Sequence, residues 1–307
     1  MLVPFAHLGG GTFAPLQLAP AALAGVLYAL RARTLALRER PVPTARQISW
    51  YAGLVVIVAT LASPLAHVSD ELFLAHMAEH LLIADIGALL LVLGLTGPVL
   101  QPILRIRAFD RLRILTHPLV AFPLWAVDFY AWHAPFLYQA AVRHSAIHAL
   151  EHAMFITCGA LMWMPLFGPL PKPAWFGNFA KLLYIIAVRL TGAILANVLV
   201  WSGGDLYPLY AKGERYWGVS AQADQSVAGA IMMIEGSILT ICLFGWLFMR
   251  AASEGEQRQE LLDLAAARGV ELTDRRAARA VSAGRGDELR RRIESGTLAA
   301  PTRPPSG

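Results

Sequence analysis

The sequence predicts an all-α polytopic membrane protein with seven transmembrane helices. Hydrophobic residues make up 56% of the 307-residue chain and Asp, Glu, Lys and Arg only 15%, where soluble globular domains carry about 25% charged residues. The mean hydropathy is +0.51. The charge shortage is uneven: nearly all of it falls before Arg250, after which the chain turns rich in Arg, Glu and Ala. Before that point apolar stretches recur, each long enough, or nearly so, to cross a hydrocarbon core of about 30 Å.

In chain order, residues 1–15 read as an external arm broken by Gly9-Gly10-Gly11. The arm lacks the basic n-region of a cleaved signal peptide. Apolar segments follow near 16–36, 49–66, 72–97, 117–133, 145–165, 178–200 and 224–249. The fourth is the shortest, and Pro118, Pro123 and Asp128 interrupt it. Together they define a seven-helix domain over 16–250, followed by an Arg- and Ala-rich tail over 251–307. The tail has two expected short helices, around 254–267 and 273–294. Leu261, Leu262 and Ala265 would line a narrow apolar stripe on the first, suited to a membrane surface or to the inner loops. The final stretch, 301–307, reads as disordered. Cys158 and Cys242 both lie in apolar runs and read as small buried residues, not as a disulfide.

Basic residues set the orientation. The first connection holds Arg31, Arg33, Arg38, Arg40 and Arg46; the third holds Arg105, Arg107, Arg111 and Arg113; the fifth holds Lys172 and Lys181. The seventh segment runs into Arg250 and the tail. Connections of opposite parity hold only Arg143, Lys212 and Arg215. The positive-inside rule then puts the N-terminus outside and the tail in the cytoplasm. The formal charge of +5 thus sits in short loops and the tail. That placement suits an anionic lipid surface and gives no case for nucleic acid.

Orientation in turn sorts the nine histidines. His67 ends the second segment at the outer face, His76 and His80 open the third there, and His133 ends the fourth. His144, His148 and His152 open the fifth. Seven histidines collect in this one layer; His117 falls on the cytoplasmic side and His7 in the arm. His76 and His80 are four residues apart, as are His148 and His152, so each pair shares a helix face about 6 Å apart along the axis. Polar groups within a span are costly and face the bundle interior, so the two pairs are expected to form one site.

Neutral imidazole is the commonest protein metal ligand. His76, His80, His148 and His152 could supply four donors, with His144 a third ligand from its helix or a residue on the way in, and His133 close by. Met77, Met232 and Met233 lean the set toward copper; carboxylates would also suit zinc. Glu79 and Glu151 adjoin the histidines, but neighbours in sequence point about 100° apart on a helix. They read as outer-shell groups that orient the ligands. Deeper polar residues are Asp85, Asp128, Arg189, Asp224 and Glu235. Arg189 needs an acidic partner, and Asp85, Asp128 and Glu235 are the candidates for it. Asp224 opens the seventh segment, where it could satisfy free backbone N–H groups. Trp201, Tyr207, Tyr210, Tyr216 and Trp217 make the loop before it aromatic, fit for interfacial anchoring or for covering the histidines.

These residues carry a resemblance. His76-Met77-Ala78-Glu79-His80-Leu81-Leu82, Trp132-His133-Ala134-Pro135, His148-Ala149-Leu150-Glu151-His152 with Trp163-Met164-Pro165-Leu166, and Asp224-Gln225 with Ala228-Gly229 and Met232 occur in that order. In them the chain resembles the multi-spanning CtaG family, assembly factors of haem-copper cytochrome c oxidases, over roughly 10–250. Where that family tends to have prolines, Asp85-Ile86-Gly87-Ala88 stands here. The resemblance implies a seven-span protein of the bacterial plasma membrane that helps mature the oxidase, plausibly by handling copper. An oxidase subunit or a copper chaperone would then be its partner. Two alternatives stay open. One is an intramembrane metal- or haem-dependent enzyme with Glu79 or Glu151 as base. The other is a cation or proton transporter built on Asp85, Asp128, Glu235 and Arg189. No nucleophile constellation or phosphate loop is visible, which favours an assembly factor over an enzyme.

Overall fold

The structure, a computed structural model, describes residues 15–106 and 112–297. The expectations for the N-terminal arm, for Arg107 and Arg111, and for the 301–307 terminus fall outside these residues. Among the described residues every regular element is helical. The helices are α1 (Pro15–Ala36), α2 (Thr44–Ala62), α3 (Pro64–Ser69) and α4 (Phe73–Gly94). They continue with α5 (Gly97–Leu104), α6 (Leu112–Leu115), α7 (Pro118–His133), α8 (Pro135–Arg143), α9 (Ser145–Phe167) and α10 (Asn178–Trp201). A 3₁₀ turn, Pro208–Tyr210, leads into α11 (Ala211–Trp217), α12 (Ala221–Ala267), α13 (Asp274–Ser282) and α14 (Gly286–Glu294).

Five of these, α2, α4, α9, α10 and α12, are long and apolar enough to cross a membrane. The first and fourth expected segments are helical too, as α1 and α7. α7 has 16 residues, about 24 Å at the α-helical rise. Its end is set by Pro135, which pushes Ala134 into an extended conformation (φ −65°, ψ 128°) and then opens α8 from its first turn.

The described residues divide into two compact units, one reaching to Pro173 and taking in Tyr184–Ile238, the other of Ala174–Leu183 with the chain from Leu239 on. In the first, glycines let three helices meet backbone to backbone. A Cβ on Gly159 of α9 would lie 2.2 Å from the Ala84 carbonyl oxygen of α4, and one on Gly53 of α2 would lie 2.9 Å from the Gly87 oxygen. Small residues at such crossings are how helices pack where lipid offers no hydrophobic drive. The segment of α4 that receives them, Leu81–Gly87, is π-helical. It includes Asp85. π-helical turns concentrate at functional sites. The Trp163 indole of α9 donates to the Asp85 carbonyl at 3.1 Å.

α4 begins on a cap from far along the chain. Both oxygens of Asp224 accept from its first turn, from the N–H groups of Phe73 and Leu74 at 2.8 Å each. The sequence alone assigns Asp224 to its own helix; the structure shows it closing the start of another, where a carboxylate also suits the helix dipole. Next to it, the Gln225 amide donates to the Leu199 carbonyl and Ser202 hydroxyl and accepts from Leu206 N–H. Gln225 thereby fixes the loop after α10. That loop splits in role: Trp201 and Tyr216 are exposed, whereas Tyr207 and Tyr210 are buried against Phe73, Met77 and Tyr138. Burial pushes the pKa of both buried phenols up. The Tyr207 hydroxyl donates to the His133 carbonyl at 2.7 Å, and Tyr138 and Tyr210 share a hydrogen bond of 2.7 Å.

The expected break near residue 250 does not occur: α12 runs unbroken for 47 residues. Its sequence there, Met-Arg-Ala-Ala-Ser-Glu-Gly-Glu-Gln-Arg-Gln, has no proline and is mostly strong helix formers. Leu261 and Ala265, expected on a lipid or loop surface, are buried with Val281, Leu289 and Ile293 of α13 and α14. The tail makes its own small core, bordered by ion pairs Arg258–Asp274 (3.2 Å) and Arg290–Glu260.

Candidate metal centre

The third and fifth apolar segments meet as expected, and their histidines face each other. His76 and His80 stand on α4, with ring centroids 4.3 Å apart; His148 and His152 stand on α9, 4.2 Å apart. Across the helix pair, His76 stacks on His148 at 5.2 Å and His80 meets His152 edge-on at 5.5 Å. His76 is fully buried, and His80 and His152 nearly so.

Glutamates complete the arrangement. Glu151, fully buried, lies with its carboxylate oxygens 3.9 Å from His76 Nε2, 3.9 Å from His80 Nε2 and 4.0 Å from His148 Nε2. Glu79 answers from α4, its Oε1 3.9 Å from His152 Nε2. Each carboxylate thus reaches the opposite helix. Both motifs read His-x-x-Glu-His, so each glutamate stands three residues after the first histidine and shares its face. Counting from the second histidine alone turns the glutamates away and hides this. His76, His80, His148 and Glu151 each offer one donor atom, all within 4.8 Å of one another. His152 sits beside this group with Glu79 for its neighbour.

These separations are too long for hydrogen bonds and close to those of ligands sharing one ion. Donors about 2.0 Å from a tetrahedral metal are about 3.3 Å apart. Both ring nitrogens of His76 and of His80, Nε2 of His148 and His152, Oε2 of Glu79 and both oxygens of Glu151 are buried without a hydrogen-bond partner. Leaving a buried polar atom unpaired costs about 1–3 kcal/mol. A bound cation relieves several of these at once. Three imidazoles and a carboxylate fit copper or zinc by donor type.

The remaining candidates divide. His144 is exposed at the start of α9 and takes no part in the group; the residue before the helix points away from the packed face. Asp70, exposed between α3 and α4, has its carboxyl pushed up by the surrounding protein and drawn partly back by His148 and His67. It lies outside the motifs that carry the histidines. His133 faces the cluster from α7, 6.5 Å from His80 between centroids, and its Nδ1 lies 2.7 Å from the Phe129 carbonyl. Met77 and Met232 are buried beside His80, lining one small cavity with it. Asp128 lies buried against Cys158 and Trp132, away from Arg189.

Arg189 finds the other two expected partners. Its guanidinium is 3.3 Å from Asp85 and 3.8 Å from Glu235 and lies over the Trp163 ring at 5.3 Å. Two acids on one base, plus an aromatic face, make this an ion cluster separate from the histidines.

The helices that build the histidine cluster lie within a match to a recognised family. The chain belongs to the cytochrome c oxidase caa3 assembly factor family, Caa3_CtaG. The family model matches residues 26–254, which takes in α2 to α11 and most of α12. The tail helices α13 and α14 lie beyond the match. No curated protein and no solved structure is significantly similar to the chain. Membership makes this an assembly factor for cytochrome c oxidase, and its apolar helices mark it as a membrane protein.

Proposed function

We propose that this CtaG-family chain carries a copper ion to a haem-copper oxidase during its assembly, holding the ion between α4 and α9. The carrying observation is the group of His76, His80, His148 and Glu151, whose donor atoms are buried, unpartnered and gathered within 4.8 Å. A carboxylate among three imidazoles lowers the net charge of a bound copper ion, which lets it rest inside a bundle. Copper is the cargo: zinc shares the donor preference but is not the metal of a haem-copper centre, and four donor atoms within 4.8 Å suit a single ion better than a haem. A hydrolase would need a base standing off from the metal. Glu151 is as close to each imidazole as ligands of one ion would be, which favours a carrier.

The chain then crosses the bacterial plasma membrane seven times, α1 and α7 joining the other five helices, with the N-terminus outside and the tail cytoplasmic. The basic connections support this orientation. It sets the cluster near the outer face, where a copper chaperone could load it and an oxidase subunit could unload it.

The test is the oxidase itself. Membranes from cells whose only copy carries His80→Ala and Glu151→Gln should yield oxidase with normal haem and a deficit of copper, read as the copper-to-haem ratio. A ratio equal to that of wild type would contradict the proposal.

A further inference from the structure

Beside the histidine–glutamate group lies a cavity of about 40 Å³, lined among others by Met77, His80, Asp85, Phe129, His133 and Met232. That space exceeds the 10–15 Å³ or so that one water occupies. We propose that Met77, Met232, His80 and His133 form a second coordination site there, softer than the first and built for Cu(I). The inference rests on the copper reading above and deepens it.

Four observations converge. His80 is nine-tenths buried, has no hydrogen-bond partner on either ring nitrogen, and lines this cavity as well as the first site. His133 is prepared as a ligand. Its Nδ1 lies 2.7 Å from the Phe129 carbonyl, which can only accept, so Nδ1 carries the proton and Nε2 keeps the lone pair. The Tyr207 hydroxyl holds the His133 carbonyl in turn. Met77 and Met232 come from different helices and are both buried. Methionine fills irregular gaps by virtue of its flexibility; here two of them border a gap they leave open. Thioether and imidazole select Cu(I) over hard cations.

His80 belongs to both donor sets. A copper ion can therefore move by ligand exchange around one imidazole. Bonds to His76, His148 and Glu151 break as bonds to Met77, Met232 and His133 form. The ion stays Cu(I), and no electron or proton is required.

The experiment uses the purified full chain loaded anaerobically with Cu(I), read by copper X-ray absorption and elemental analysis. Wild type should show sulfur in the copper shell together with imidazole nitrogen. The M77L/M232L variant should lose the sulfur from the copper shell and keep the ion held by nitrogen and oxygen. H76A/H148A should keep the sulfur-bound ion. Because the leucine variant could misfold, selenomethionine-labelled wild type gives a second reading, with selenium expected as a copper neighbour. Copper bound by nitrogen and oxygen alone, with no selenium neighbour, overturns the second site and leaves the first standing. Wild type that takes up no Cu(I) overturns both.

Discussion

Arg189 and Glu151 are both ionisable side chains within apolar helices, and their surroundings differ. Arg189 has Asp85, Glu235 and the Trp163 face around it. Its charge is paired, although Arg189 Nε and Glu235 Oε1 are left without a hydrogen bond. Glu151 has three imidazoles at 3.9–4.0 Å and no hydrogen bond. Its neighbours are imidazoles that could ligate an ion with it, and none of them hydrogen-bonds to it. The two clusters share α4: His80 and Asp85 are five residues, or about 7.5 Å of helix, apart. A single helix thus contributes to both, and its π-helical turn, Leu81–Gly87, starts just after His80 and contains Asp85. The number of unpaired buried atoms, more than the presence of charge, separates the histidine–glutamate group from the Arg189 ion cluster.

Substitutions sharpen this contrast. Arg189→Met should be the most damaging to the fold, since it strands two buried carboxylates. A loss of about 3–5 kcal/mol is expected, read as unfolding in detergent, with partial recovery when Asp85→Asn and Glu235→Gln are added. A loss below about 1 kcal/mol would mean the triad is not an ion cluster. Gly159→Val comes next. Its side chain meets the Ala84 carbonyl, where a Cβ would already lie 2.2 Å away, and overpacking of this kind costs about 1–3 kcal/mol. Because it displaces α9 from α4, copper affinity should fall with stability. Asp224→Ala removes the cap of α4 and should cost about 1 kcal/mol, with Asp224→Asn recovering part of it in the same unfolding measurement. Glu151→Gln should be the mildest on stability, within about 1 kcal/mol of zero, because no hydrogen bond is lost. It should still weaken copper binding at least about 10-fold, measured by competition with a copper chelator. A variant that destabilised the fold while leaving copper untouched would reverse the roles assigned to the two clusters.

Much of this was legible in the sequence. Hydropathy locates the helices because burial in lipid leaves the backbone no other solution. The i,i+4 histidine pairs are legible because helical spacing fixes their face. Arg189 announces its need for Asp85 or Glu235 by its cost in a span. What stays hidden depends on contacts between distant segments. Glu151 reaches His76 and His80 across a helix interface, and angles measured along one helix miss it. Asp224 caps a helix 150 residues earlier in the chain, a pairing that only the packed bundle creates. The π-helical turn at Leu81–Gly87 has no composition signal; it is maintained by Gly159 and Trp163 from α9. The unbroken run of α12 past residue 250 was masked by a change from apolar to charged residues, although helix propensity continues through it.

The central claim is that α4 and α9 jointly hold a copper ion. Elemental analysis of the purified protein after copper loading and desalting tests it most directly, wild type against a variant with His80→Ala and His148→Ala, each removing one ligand from one helix. The account predicts copper retained by wild type and lost from the nitrogen- and oxygen-bound position in the variant. Equal copper in the same coordination in both proteins would contradict it.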